Sequence, residues 1–515
     1  MTKKNQLIRG VTMNWLALAT SMLLGFFLSP FVVHHLGDSS YGVWTVIVSI
    51  ASYMQLLDFG LRSAITRTVS RAYALKQHEE SSRAVSAALL LRLGMSAIIL
   101  TVSFALSRVG PAIFHVPPQL ATAAKWAILI TGFNVSVTLT CGTFGGVLVG
   151  LHHFDAVSSI TMMQTVARAC AILWLLSHGY GIVALALCEL AAVTLGNGAI
   201  VWRCFHKYPE LCVRVSYVER AMIRELGLYG VWAAVFNLGQ QLIYYSDNLV
   251  IAGFVSAAAV TAYAIGGNLI EYLRGVISSM TTTFTPLASS MEATGGNESL
   301  RRLLIQGTRA AFLVALPIEI ALLFRGPTFI GLWMGAKYAA ESGHVLMILV
   351  IAQIFMNGSH TPTAILYGTS KHRINALWVI GEAVANLSLS VFLVRRIGIM
   401  GVAWGTLIPS AVVSLLLRPQ YVARMLKLPM RSLLWQGWIR ALIAAVPYAI
   451  ACSFADRFWQ PHTLLGFMLQ IAAILPIFVL FEAFMFWREA APFVREWFKG
   501  LRPASAVASA SGIRH

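Results

Sequence analysis

Fourteen predominantly apolar runs divide the chain, at 11–33, 41–62, 84–107, 120–149, 156–177, 181–203, 226–253, 258–290, 303–324, 343–368, 374–394, 399–418, 436–455 and 464–487. A helix needs roughly 20 such residues to cross a bilayer core. The pattern therefore predicts an all-α polytopic membrane protein of about 14 transmembrane helices. The polar segments between runs are short, and none is long enough for a soluble domain. The first run follows Lys3, Lys4 and Arg9 and is not followed by a small-residue cleavage site, which predicts a retained first helix. An even number of spans puts both termini on one side.

Polar residues inside these runs are the informative exceptions, because an intramembrane charge must face protein or a watery cavity. The stretch Leu36–Arg71 carries Gln55, Asp58 and Arg62 at spacings of three and four, one face of a continuous helix. Arg62 and Asp58 suit a cavity wall, with the cation meeting an anionic ligand and the acid tuning it or holding a coupling ion. They equally suit a local ion pair that closes the helix end. The seventh run places Asn237, Gln241, Tyr244 and Asn248 in one stripe, beside Asp247. Amides and phenols at that spacing fit sugar hydroxyls, with interhelical hydrogen bonding as the alternative. The eighth run carries Glu271 and Arg274, a second acid–arginine pair, and Pro286 near its end, where the helix can bend. Arg168, with Gln164 one turn before it, either deepens a cationic cavity or snorkels to headgroups, and Arg92 is expected to snorkel. Glu189, Glu319 and Glu382 read as lone acids in apolar spans.

Composition narrows the class. Hydrophobic residues make up 58% of the 515 and charged residues 11%, with a mean hydropathy of +0.73. A net charge of +18 in a soluble chain would suggest nucleic acid, but this apolar background excludes that. Instead, 28 of the Lys and Arg residues fall in segments on the side of the N-terminus. Only six (Arg108, Arg325, Lys337, Arg395, Arg396 and Arg457) fall on the other side. This bias predicts cytoplasmic termini. The six cysteines form no CxxC and no framework spacing, so neither a disulfide scaffold nor a metal site is expected. No nucleotide-binding motif and no nucleophile–base set is present, so no cofactor and no enzymatic activity are expected.

The chain also looks doubled. HHLGDSSYGVW after the first run corresponds to IAGFVSAAAVTAY after the seventh. GLHHFD corresponds to YGTSKH, and GYGIVALAL to RIGIMGVAW, all at offsets of 216 to 219 residues. An offset of six helices preserves orientation, so the halves are expected to be parallel repeats related by an axis along the membrane normal. The expected organisation is a six-helix lobe over 1–222, a second over 223–425, two appended helices over 426–490 and a disordered cytoplasmic tail over 491–515.

The residues LGDSSYGVW…LLDFGLRSAITRTVSR, with GLHHFD, GIMGVAWGT and FIGLWMGAKYA, resemble the polysaccharide-synthesis flippases of the Wzx type. Those belong to the same superfamily as the MATE drug exporters and the lipid II flippase. The resemblance spans about residues 5 to 490. It implies two lobes alternating access in a bacterial inner membrane, around a cavity lined by the first, second, seventh and eighth helices. The implied substrate is an undecaprenyl-pyrophosphate-linked oligosaccharide, and a polysaccharide polymerase or ligase is a possible partner. The rival is a cation-coupled exporter of the MATE type, which would favour acids and aromatics over arginines in the cleft. A membrane-embedded glycosyltransferase or ligase would need a sizeable periplasmic loop or an exposed acidic pair, and neither is present.

Overall fold

The computed structural model describes residues 3–220, 222–223, 231–281, 283–294 and 296–500. They form an all-helical protein in which eleven stretches are long and apolar enough to cross a membrane. The first of these, Trp15–Ala74, is 60 residues long and takes in the first two predicted spans. It comprises α1 (Lys3–Gln55), a single 3₁₀ turn (Leu56–Asp58) and α2 (Leu61–Ala74). Gly37 breaks α1 with φ 74° and ψ 165°, a left-handed conformation that glycine adopts without steric cost. This separates arms 3–36 and 38–55 at the polar turn that the sequence marks.

The second predicted span does not run unbroken to Arg62. Phe59 (φ 44°) and Gly60 (φ 72°) are both left-handed, so the helix stops at Asp58 and restarts as α2. Gln55, Asp58 and Arg62 therefore do not share a face of one continuous helix. The remaining elements are α3 (His78–Ile113), α4 (Pro118–Gly150), α5 (Phe154–Ser177), α6 (Ile182–Lys207), α7 (Val231–Phe254), α8 (Ala257–Thr281), α9 (Phe284–Thr294) and α10 (Gly296–Trp333). They continue through α11 (Ala336–Gly368), α12 (His372–Ile397), α13 (Ile399–Met425), α14 (Met430–Phe458) and α15 (Leu464–Gly500). The eighth predicted run, 258–290, divides into α8 and α9. Pro286 lies in the first turn of α9, where its missing N–H leaves no intrahelical bond unmade.

Two groups of helices pack around a seam. In the first, α1 lies on α5, and α4 lies between α3 and α6. In the second, α7 lies on α12, α8 on α11, and α10 along α11. Helix α1 crosses the seam to touch both α7 and α8. Helices α14 and α15 are fastened to α10 rather than free. Arg325 pairs with Asp456 at 2.5 Å, the Tyr448 hydroxyl donates to the Pro317 carbonyl at 3.1 Å, and the Arg309 guanidinium lies 4.2 Å over the Phe486 ring. Helix α15 continues to Gly500, past the boundary expected at 490. The tail from 501 lies outside the described residues.

Bonds across the seam cluster at the Gly37 end. Asp38 accepts from Lys337 and from the Tyr338 hydroxyl. The Asp38 carbonyl accepts from Thr261 Oγ1 at 2.7 Å. Trp333 Nε1 donates to the Phe26 carbonyl at 3.1 Å, with the two rings stacked 4.9 Å apart. Together these clasp the molecule shut at that end.

Candidate functional site

Behind the clasp, the seam opens into three adjoining chambers. The central one, about 330 Å³, is lined by residues including Ser49, Arg168, Glu189, Asp247, Asn248 and Asn268. A second, about 500 Å³, lies toward the first group and carries Gln55, Asp58, Arg62, Arg92, Asn237 and Gln241. A third, about 680 Å³, lies toward the second group and carries Ser278, Ser359, His360, Tyr367 and Arg418. Tyr244, Glu271 and Arg274 line all three and form the junction.

The stripe read from the seventh run maps onto this space. Asn237, Gln241 and Tyr244 face the first-group chamber, and Tyr244 and Asn248 face the central one. Asn248 also crosses the seam, with Nδ2 donating to Ser49 Oγ at 3.0 Å. Asn268 Nδ2 likewise donates to the Tyr41 hydroxyl at 3.1 Å. Cavity wall and interhelical bonding therefore coexist on one helix. The Gln241 and Asn248 side-chain oxygens are buried without a hydrogen-bond partner among the described residues.

The charged residues sort differently from expectation. Asp58 does not pair with the Arg62 side chain. From Arg62 it accepts only the backbone N–H, at 3.5 Å, because the Phe59–Gly60 break turns the two side chains apart. Its partner is Arg92, whose Nη1 also donates to Thr143 Oγ1 at 3.0 Å. Arg92 is 1% exposed; it does not snorkel, because Asp58 and Thr143 satisfy it inside the bundle and Gly142 leaves room for it. Arg62 is exposed to the chamber and forms no ion pair among the described residues. Arg168 pairs with Glu189 at 2.8 Å across α5 and α6, so neither a snorkelling Arg168 nor a lone Glu189 is found. Glu271 and Arg274 pair along α8 at 3.4 Å, and the Arg274 guanidinium lies 3.3 Å over the Tyr244 ring. That cation–π contact holds the guanidinium flat without using its donors. Asp247 is buried; it accepts from the Tyr263 hydroxyl and from Thr406 Oγ1, the latter at 2.8 Å.

Three features were not read from the sequence. Arg418, counted there among loop cations, is 5% exposed inside the protein, and it pairs with Glu382 at 3.0 Å. A π-helical turn at Val413–Leu417 precedes it; the widened turn shifts the register of the residues that follow. Glu319 is not alone either, since Asn357 Nδ2 donates to both its oxygens at 2.9 Å. His360 was not singled out at all. The usable signal was the acids themselves, since a carboxylate buried in an apolar span demands a partner.

No group of three or more His, Cys, Asp or Glu side chains able to hold a metal occurs among the described residues. The arrangement is a set of joined chambers whose partly apolar walls carry amides, acids and arginines, the chemistry of a binding cavity.

Comparison with known proteins places the chain. The polysaccharide biosynthesis protein family matches residues 7–292, and the MatE family matches residues 233–392. The membrane protein EpsK of Bacillus subtilis (strain 168) is 24% identical over 427 residues, covering 80% of this chain and 83% of EpsK. A Shigella flexneri protein named for O-antigen transport is 22% identical over 392 residues, covering 72% and 87%. The structure of the lipid II flippase MurJ in an inward closed conformation superposes with a TM-score of 0.73 at 14% identity, covering 93% of this chain and 99% of MurJ; that likeness concerns the fold. The chain belongs to the polysaccharide biosynthesis protein family.

Proposed function

We propose that the protein is a flippase that moves lipid-linked oligosaccharide repeat units from the cytoplasmic to the periplasmic leaflet for cell-surface polysaccharide synthesis. The observation that carries this reading is the junction of Arg274, Tyr244 and Glu271, where three chambers meet on the seam between two helix groups. A guanidinium binds a pyrophosphate bidentately and stays charged in a low dielectric. Arg62 and Arg274 are the cations that take the pyrophosphate, with Arg168 at the far wall. Asn237, Gln241, Tyr244 and Asn248 meet the sugars. Asp58, Asp247 and Glu271 balance charge, and Asp247, with one carboxylate oxygen unpartnered beside the central chamber, is the candidate for coupling.

In this reading the protein lies in a bacterial inner membrane with both termini in the cytoplasm, as the bias of basic residues favours. Counting the two arms of α1 separately and adding α7 and α8 to the apolar stretches supports 14 crossings in two six-helix repeats plus α14 and α15. The clasp at Asp38 then lies on the periplasmic side, and the chambers open toward the cytoplasm, where the substrate is made. The names carried by the relatives favour this cargo, and the polymerase or ligase that consumes it is the expected partner.

The alternative, a cation-coupled exporter of the MATE type, draws on the MatE match over 233–392 and on the aromatics and acids that line the central chamber. The two readings separate in liposomes containing the purified protein. A pyrophosphate-linked polyprenyl oligosaccharide is expected to become accessible to a membrane-impermeant glycosidase, and Arg62→Ala with Arg274→Ala is expected to abolish this. Translocation persisting in the double variant would remove these arginines from the site. Export of cationic dyes with no movement of the lipid would establish the exporter instead.

A further inference from the structure

The chamber on the second-group side holds a set of polar atoms that the reading above leaves unused. Arg418 lines it while bonded to Glu382 through Nη2. Its Nε is buried with no hydrogen-bond partner among the described residues. Ser359 Oγ and His360 Nε2 are in the same state, and both residues line the same chamber. Ser359 is 4% exposed and Arg418 5%. A guanidinium carries five donors in a fixed fork. Glu382 accepts from Nη2 and fixes the direction of the guanidinium, while Nε is left without a partner among the described residues. Buried polar atoms left without partners are costly, and these three belong to side chains that line one chamber around a guanidinium, a composition that suits an anion.

Position gives the site a role. Helix α11 starts at Ala336, beside the clasp, and His360 lies 24 residues further along, about 36 Å at helical rise. The chamber is therefore at the end of the seam away from the clasp. It shares Arg274 with the central chamber. We propose that Arg418, Ser359 and His360 form a loading station for the phosphates of the lipid-linked substrate, distinct from the junction at Arg274 to which the phosphates then pass. Glu382 is a positioning residue that aims the guanidinium. The inference rests on the flippase reading for its ligand. The unequal grip on the two arginines gives the order of transfer: Arg418 is locked by a buried acid, whereas Arg274 is held by a ring and a half-exposed one.

The test is equilibrium binding to the purified full chain in nanodiscs, with three probes: a polyprenyl pyrophosphate, the uncharged polyprenol, and phosphatidylglycerol. Arg418→Gln is expected to weaken pyrophosphate binding about tenfold or more while leaving polyprenol binding unchanged, as loss of a charge-assisted contact requires. Arg418→Lys is expected to recover part of that loss, because the charge returns without the fork. Arg418→Gln with Glu382→Gln removes both charges and covers the case in which a stranded Glu382 prevents folding. Unchanged pyrophosphate affinity in these variants, with loss in Arg274→Gln, would overturn the station and leave the flippase reading standing. Equal losses for polyprenol would show a structural role, and equal losses for phosphatidylglycerol a general lipid site; either outcome overturns the inference. A wild type that does not prefer the pyrophosphate over polyprenol would instead bring down the flippase reading itself.

Discussion

The two acid–arginine sites on either side of the seam are built on opposite plans. On the first side, Asp58 reaches across to Arg92 on another helix, and the guanidinium is 1% exposed. On the second side, Glu271 and Arg274 are three residues apart on one helix, at 3.4 Å, with side chains 52% and 18% exposed. The first is a tertiary tie that holds the end of α1 against α3 and α4. The second is a loose local pair whose cation rests on the Tyr244 ring. An interaction that must break and reform during transport belongs to the second kind. One that must hold a lobe rigid belongs to the first. The difference also leaves Arg62 without an ion pair among the described residues, beside the tie, so each side offers the cavity one cation that is not locked away.

The largest effect expected from this contrast is on stability. Asp58→Asn leaves the buried Arg92 without its counter-charge, and stranding one partner of a buried pair costs about 3 kcal/mol. Glu271→Gln alters a partly exposed pair and is expected to cost no more than about 0.5 kcal/mol. Thermal unfolding of the two variants in the same detergent checks this directly. Equal losses would erase the distinction between tie and local pair.

Next in size is the junction itself. Arg274→Lys keeps the charge and loses both the planar stack on Tyr244 and the two-pronged grip on phosphate. Translocation in liposomes is expected to fall about tenfold, equivalent to roughly 1.4 kcal/mol of lost binding, with the unfolding temperature unchanged. Arg92→Lys is expected to behave in the reverse way, losing stability with the transport of the folded fraction retained. A third prediction concerns the clasp. Lys337→Met removes one cation from Asp38, leaves the Tyr338 hydroxyl bond and is worth up to about 1 kcal/mol, since Lys337 is mostly solvated. Distance measurements between spin labels placed across the Gly37 end are expected to show a larger open fraction. An unchanged distribution would mean that the Phe26–Trp333 and Thr261 contacts alone hold that end shut.

How legible all this was depended on the range of the interaction. Runs of apolar residues report directly on burial in lipid, and most of the helices lie where those runs lie, the second and eighth runs being broken within. The stripe Asn237, Gln241, Tyr244 and Asn248 was readable because its geometry is internal to one helix, with no neighbour needed to define it. The pairs were not readable in the same way. Asp58 and Arg62 have ideal spacing for a local pair, but left-handed Phe59 and Gly60 break the helix between them, and Arg92 is 34 residues away. Arg418 looked like a loop cation because hydropathy ends near it, yet the π-turn before it and Glu382, 36 residues distant, draw it inward. Partner choice across helices depends on packing that a linear pattern does not contain. The lone acids nonetheless announced that partners had to exist.

The smallest effect is also the sharpest test of the contrast. Glu271 competes with any incoming phosphate for the Arg274 guanidinium, and at 3.4 Å, half exposed, it competes weakly. If its function is to keep the cation oriented until the substrate arrives, Glu271→Gln frees the guanidinium and removes a like charge from the neighbourhood of the pyrophosphate. Affinity for a polyprenyl pyrophosphate is then expected to rise two- to threefold, within about 0.6 kcal/mol, and to become more sensitive to salt because the attraction to Arg274 is no longer partly offset by a like charge. Translocation need not follow affinity, since a ligand held more tightly in one conformation is released more slowly into the next. Tighter binding with slower turnover, read from a titration and a flipping rate on the same preparation, identifies Glu271 as the group that keeps the second site exchangeable. Weaker binding would make the acid part of the ligand's own contact set, and the second site would then be as fixed as the first.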